Sequence, residues 1–230
     1  MLDGLASAAG APVLVDLPGH GRYAQGSDER VVTLAAALAA IDDAGEWPAD
    51  IVGYSMGGRI ALHFAAAHPG RVRRLVLESA SPGLADPKER AERRLQDESL
   101  ADRIEREGVP SFVDYWEARP LFESRLQLPD DVRSRQRAER LRNTEGGLAS
   151  SLRGLGTGAL PSLWERLPAI DVPTLIVAGE LDSKFVDIGR RMAQHLPDAR
   201  LTIVSGAGHT VHLEKPDEWL EVVGSFLLRG

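Results

Sequence analysis

The sequence predicts an α/β protein: a mostly parallel sheet with helices on both faces and a helical insertion. Three observations carry this. Short apolar runs alternate with longer segments of helical periodicity, the pattern of parallel strands joined by crossover helices. One junction, Ile51-Val-Gly-Tyr-Ser-Met-Gly-Gly-Arg59, has the form G-x-S-x-G between a strand and a helix. The alternation then stops over residues 83–167, where every periodic segment is helical.

Residues 1–10 read as the end of a helix, broken by Gly10-Ala11-Pro12. Val13-Leu14-Val15 has the apolar character of a buried strand and leads into a turn-rich loop, Asp16-Leu17-Pro18-Gly19-His20-Gly21. Val31 to Ala44 is alanine-rich at helical spacing. The Ile51 strand, the Ser55 turn and an alanine-rich helix from Arg59 to His68 follow, then a strand over Val72 to Leu77. From Asp86 to Glu107 the chain is densely charged, with Leu95, Leu100 and Ile104 at helical spacing. Further amphipathic pieces cover Ser111–Ala118, Pro129–Arg142 and Glu145–Arg153, most of whose charges belong on solvated helix faces. Strands resume at Val172–Val177 and Ala199–Val204, and a helix over Pro216–Leu228 closes the chain. The expected division is a core of residues 1–82 and 168–230, with residues 83–167 as a helical lid over the Ser55 turn.

Bulk properties narrow the function. The 230 residues, 43% of them hydrophobic, suffice for one well-buried domain with a cap. Without cysteine there is no disulfide and no thiol chemistry. A net charge of −7 argues against nucleic acid as a partner. Lys88, Lys184 and Lys215 are the only lysines, so many arginines need no functional explanation. No run approaches the roughly 18–20 apolar residues of a membrane span, and a soluble, cytoplasmic protein is expected. No cofactor or metal is implied.

Ser55, Asp182 and His209 fall at the C-terminal ends of three predicted strands, the edge where open α/β sheets bind ligands. A serine hydroxyl is a poor nucleophile or base at neutral pH until an imidazole takes its proton. A carboxylate then fixes the imidazole tautomer and steadies its charge. The turn demands a strained serine with glycines beside it, and it aims the Met56 N–H at an oxyanion. Asp182 has a second reading as a helix N-cap, and His209 as a loop histidine bonded to backbone. His20, His63, His68, His195 and His212 suit that blander role better.

Asp16-Leu-Pro-Gly-His-Gly, Gly53-Tyr-Ser-Met-Gly-Gly-Arg and Gly206-Ala-Gly-His resemble the α/β-hydrolase superfamily across essentially the whole chain. Four further stretches resemble the 2-succinyl-6-hydroxy-2,4-cyclohexadiene-1-carboxylate (SHCHC) synthase family of menaquinone biosynthesis. They are Tyr54–Arg59, Trp116-Glu-Ala-Arg-Pro-Leu-Phe122, Leu152–Gly158 with Pro161-Ser-Leu-Trp164, and Gly179-Glu-Leu-Asp-Ser-Lys-Phe185. The resemblance implies a lyase that eliminates pyruvate from a succinyl-enolpyruvyl-cyclohexene, with Ser55 as base, activated by His209 and Asp182. It implies a polycarboxylate small-molecule substrate gripped by arginines, expected to be Arg59, one of Arg93 and Arg94, and Arg153. Tyr54 and Trp116 would wall the pocket.

The family pattern places three strands before Val13, one ending in a His-Gly loop that supplies a second oxyanion N–H. The third would lie between the Val13 and Ile51 strands, at the centre of the sheet. Two expectations follow: those strands pair directly, or the chain is a shortened form of a longer protein, which is the favoured reading. One oxyanion donor is worth roughly 3–4 kcal/mol. Two other functional readings stay open: a serine hydrolase of esters or C–C bonds, and a non-catalytic remnant that binds a ligand.

Overall fold

The computed structural model describes residues 12–21 and 32–228; the predicted helix end over residues 1–10 lies outside them. Four parallel strands form one sheet in the order β1 (Ala49–Tyr54), β2 (Val72–Glu78), β3 (Thr174–Gly179), β4 (Ala199–Val204). Each strand corresponds to an apolar run of the sequence. β3 is buried along its whole length, because it is paired on both sides and covered on both faces.

Alternation along the strands sorts side chains between two cores. Leu75 and Leu77 of β2 and Ile176 of β3 face one side, where they meet α1 (Leu34–Asp42), α2 (Met56–Ala67) and α6 (Ser183–His195). Val76 of β2 and Leu175 and Val177 of β3 face the other, against Trp219, Val223 and Leu227 of α8 (Pro216–Leu227). Those three residues, spaced four apart, form a single helix face. α7 (Val211–Glu214) is one turn preceding α8.

Between β2 and β3 every regular element is helical: α3 (Pro87–Glu117), a 3₁₀ segment (Pro120–Gln127), α4 (Asp130–Leu141), α5 (Glu145–Leu155) and a short 3₁₀ turn (Trp164–Ala169). The two amphipathic pieces expected over 86–107 and 111–118 are one element, kinked at Gly108, whose φ of 84° interrupts the helix ahead of Pro110. Ile104, Val109 and Val113 of α3 pack on Leu148 of α5 as a small separate core.

The expected strand at Val13–Val15 does not form. These residues are extended and unpaired, with Val13 and Leu14 65% and 66% exposed. The same segment's Pro18 and Gly19 are buried, and a Cβ on Gly19 would lie 2.5 Å from the Gly147 carbonyl oxygen of α5. The direct pairing of the Val13 and Ile51 strands is therefore not seen, and among the described residues β1 is an edge of the sheet, with Val52 41% exposed. An apolar run specifies burial only when a neighbouring strand offers hydrogen bonds. No helix among the described residues is long and apolar enough to cross a membrane.

Candidate active site

β1 ends at Tyr54, α2 begins at Met56, and Ser55 between them has φ 51° and ψ −111°. A left-handed conformation is costly for a residue with a Cβ. Close packing of strand on helix enforces it. A Cβ on Gly53 would stand 2.6 Å from Gly58 Cα, and one on Gly58 would stand 2.6 Å from Ala80 Cβ. The sequence motif assigns this role to Gly53 and Gly57, but the space around Gly57 is open. The indispensable second glycine is Gly58. The Ser55 N–H donates to the Glu78 carbonyl at 2.8 Å, which ties the turn to β2.

Ser55 Oγ lies 3.0 Å from His209 Nε2, and His209 Nδ1 lies 2.6 Å from Asp182 Oδ2. A carboxylate only accepts, so Nδ1 carries the proton and Nε2 offers its lone pair to the serine hydroxyl. His209 and Asp182 are 1% and 7% exposed, so water competes little for this relay. Asp182 also fulfils its other reading: it N-caps α6, accepting from the Phe185 N–H at 3.4 Å. One side chain thus anchors a helix with one oxygen and the imidazole with the other.

His209 is boxed edge-on by Phe185, Tyr54 and Phe122, with ring centroids 4.7, 5.5 and 5.8 Å away. Its loop is held by Glu214 of α7, which accepts from the Gly208 N–H at 2.6 Å, the Thr210 N–H at 3.0 Å and the Thr210 hydroxyl at 2.7 Å. Burial alone would raise the Glu214 pKa, but these donors and Ser124 outweigh it and hold the carboxyl below its ordinary value. Phe122 and Ser124 come from the 3₁₀ segment, so the helical segment touches the imidazole and its loop directly. Sequence reasoning missed Phe122, Phe185 and Glu214 as site residues; the one usable signal was Phe185, three positions after the capping aspartate.

Among the other predicted residues, Tyr54 stands between the rings of His209 and His212, at 5.5 and 4.9 Å. Burial and the nearby Glu78 push its phenol pKa up. His212 is itself bonded to the buried Glu78, at 2.8 Å. Met56 opens α2, so its N–H is one of the first-turn donors that have no acceptor in their own helix. Its sulfur accepts from the Ser151 hydroxyl of α5. Trp116 stacks between Phe112 and Phe122, each 5.6 Å away.

The arginines divide. Arg59 is buried and donates to the Thr157 hydroxyl at 2.5 Å and the Leu155 carbonyl at 3.0 Å, at the end of α5. Burial, then repulsion from Arg93, pushes its pKa down to about 10. Arg93 is half-buried and pairs with Asp97 at 2.7 Å, whereas Arg94 is exposed. Arg153 needs correction. It bridges α5 to the outer side of α3 through Glu98, Asp102 and Glu105, at 2.6–2.7 Å, and these carboxylates already engage its guanidinium.

A strained serine between strand and helix, hydrogen-bonded through an imidazole to a carboxylate at the C-terminal edge of a parallel sheet, has the geometry of the serine triads carried by α/β folds. The profile of the alpha/beta hydrolase fold matches residues 1–216, and the chain belongs to that family. Its relatives are more particular. It is 51% identical over 177 residues to a candidate 2-succinyl-6-hydroxy-2,4-cyclohexadiene-1-carboxylate synthase of Bacillus subtilis (strain 168), covering 77% of this chain and 65% of that protein. It is 35% identical over 206 residues to the synthase of the same name from Salmonella schwarzengrund (strain CVM19633), covering 88% of this chain and 77% of the relative. The solved structure of MenH from S. aureus superposes with a TM-score of 0.86 at 39% identity, covering 92% of this chain and 81% of that one. The chain thus spans about two-thirds of the length of the Bacillus relative.

Proposed function

We propose that this chain is a SHCHC synthase, a carbon–oxygen lyase that eliminates pyruvate from a succinyl-enolpyruvyl-cyclohexene carboxylate in menaquinone biosynthesis. The observation that carries the reading is the Ser55–His209–Asp182 relay in a chain similar to proteins of that name.

His209 Nε2 takes the Ser55 proton, and Asp182 steadies the imidazolium. The Ser55 alkoxide removes the proton from the ring carbon beside the succinyl ketone. The electron pair of that C–H bond moves through the ring as a new double bond, and the C–O bond to the enolpyruvyl group breaks. Pyruvate leaves as its enolate and is protonated at carbon. No acyl-enzyme forms. The Met56 N–H faces the negative charge that develops at the site, and residues 83–167 act as the lid. Contacts of Phe122 with His209, Ser151 with Met56, and Thr157 with Arg59 support that role.

The experiment is pyruvate release followed with lactate dehydrogenase. Wild type releases pyruvate and Ser55→Ala loses at least about a thousandfold of the rate. The same relay geometry would serve a serine hydrolase. Ester cleavage with covalent trapping of Ser55 by a phosphonate, and no pyruvate, would replace the synthase by that reading.

A further inference from the structure

Two arginines are at least nine-tenths buried among the described residues, Arg59 and Arg125. Arg59 uses its guanidinium to hold the end of α5. Arg125, in the 3₁₀ segment and only 6% exposed, does not. Its Nε is sealed from solvent without an acceptor, and no described residue hydrogen-bonds or ion-pairs with its terminal nitrogens. Its guanidinium lies over the Phe122 ring at 5.4 Å, and Phe122 meets His209 edge-on.

The side chain borders a cavity of about 410 Å³ between the 3₁₀ segment and α4. The other cations of that cavity are occupied: Arg137 by Asp114 and Glu117, at 2.6 and 2.8 Å, and Arg133 by Asp130. Burial, then the charge of Arg140, pushes the Arg125 pKa down, while Tyr54, Glu117 and Glu214 act to raise it without hydrogen-bonding to it. A buried guanidinium without a partner is a standing cost that folding alone does not recover. An arriving carboxylate recovers it, since its two oxygens match the fork of the guanidinium.

We propose that Arg125 binds a carboxylate of the substrate, forming a subsite one aromatic ring away from His209. This rests on the proposed function for the substrate being a polycarboxylate. It adds an arginine that neither the serine turn nor the lid motifs indicate.

The test uses the full chain carrying Ser55→Ala, titrated with succinate in a calorimeter, with Arg125→Met and Arg125→Lys added separately. Succinate affinity falls at least tenfold with methionine and less with lysine, while uncharged succinamide does not distinguish them. In the Ser55 enzyme, Arg125→Met raises KM for the cyclohexene substrate at least tenfold, with a smaller effect on kcat. Its Tm equals or exceeds that of wild type, because an unpaired buried cation has gone. Undetectable succinate binding with Arg125 present, or equal succinate affinity and equal KM after substitution, overturns the subsite. A lower Tm with unchanged affinity does so too, and marks Arg125 as packing only. If Arg125→Met does not fold, Arg125→Lys with wild-type affinity and KM overturns it. Arg125-dependent succinate binding without pyruvate release from any form would remove the proposed function and leave the subsite standing.

Discussion

At the residue scale, the same side-chain type takes different roles according to what surrounds it. His209 is buried beside a carboxylate that fixes its tautomer. His63 of α2 is 5% exposed, its Nε2 has no partner, and it sits one turn from Arg59. Burial, then the charges of Arg59 and Arg166, lower its pKa to about 4 from an ordinary 6.5. The folded chain therefore holds His63 neutral while the unfolded chain takes up a proton first. Stability from this residue is complete above pH 6.5 and is lost as pH falls toward 4, by at most about 3 kcal/mol. Urea unfolding at pH 7.5 and pH 4.5 measures it, and His63→Leu should flatten the difference. An unchanged pH dependence in that variant would remove the assignment.

At the element scale, the strand–turn–helix around Ser55 is a packing device before it is a chemical one. The φ of Ser55 is maintained because Gly53, Gly58 and Ala80 bring β1, α2 and the end of β2 into contact. Gly58→Ala introduces a methyl 2.6 Å from Ala80 Cβ and 2.8 Å from the Gly53 carbonyl. It should destabilise by about 1–3 kcal/mol and lower turnover by tilting Ser55 away from His209. Gly57→Ala meets no atom within 4 Å and should leave Tm unchanged or slightly raised, since alanine favours a helix over glycine by up to about 1 kcal/mol. Thermal unfolding of the pair decides the matter; equal losses would contradict the assignment of the close contact to Gly58. Glu214 acts at the same scale, as a staple on the loop that presents His209.

At the scale of the whole molecule, the sheet is unequal across its width. β3 has partners on both sides and no exposed residue, whereas among the described residues β1 pairs only with β2 and exposes Val52. Amide exchange should therefore be slowest in β3, limited by global unfolding, and faster in the outer strands β1 and β4. Protection in β1 equal to that in β3 would refute this ordering. The helical segment is joined to the sheet domain at the site itself, through Phe122 on His209, Ser151 on Met56 and Arg59 at the end of α5. Its charged face is engaged internally: Arg153 spans α5 and α3, and Arg137 links α4 to α3. The arginine expected at the pocket was thus assigned by its motif, while its actual surroundings are three carboxylates on a neighbouring helix.

The sequence by itself determined what depends on local order. The four strands of the sheet, the serine turn and the chain order Ser55, Asp182, His209 are written in short apolar runs, helical periodicity and turn residues that act over a few positions. Tertiary structure alone decided what depends on neighbours remote in sequence. Val13–Val15 has the composition of a strand but pairs with none of the described strands, and it is exposed. The G-x-S-x-G pattern points to Gly57, and only the contact with Ala80, remote in sequence, shows that the close approach falls on Gly58. Arg59, Arg93, Arg125 and Arg153 are chemically alike, and their occupations follow from which carboxylates, carbonyls and rings the folded chain brings within reach. Hydrogen bonds and ion pairs act over a few ångströms of space, whereas sequence patterns record distance along the chain.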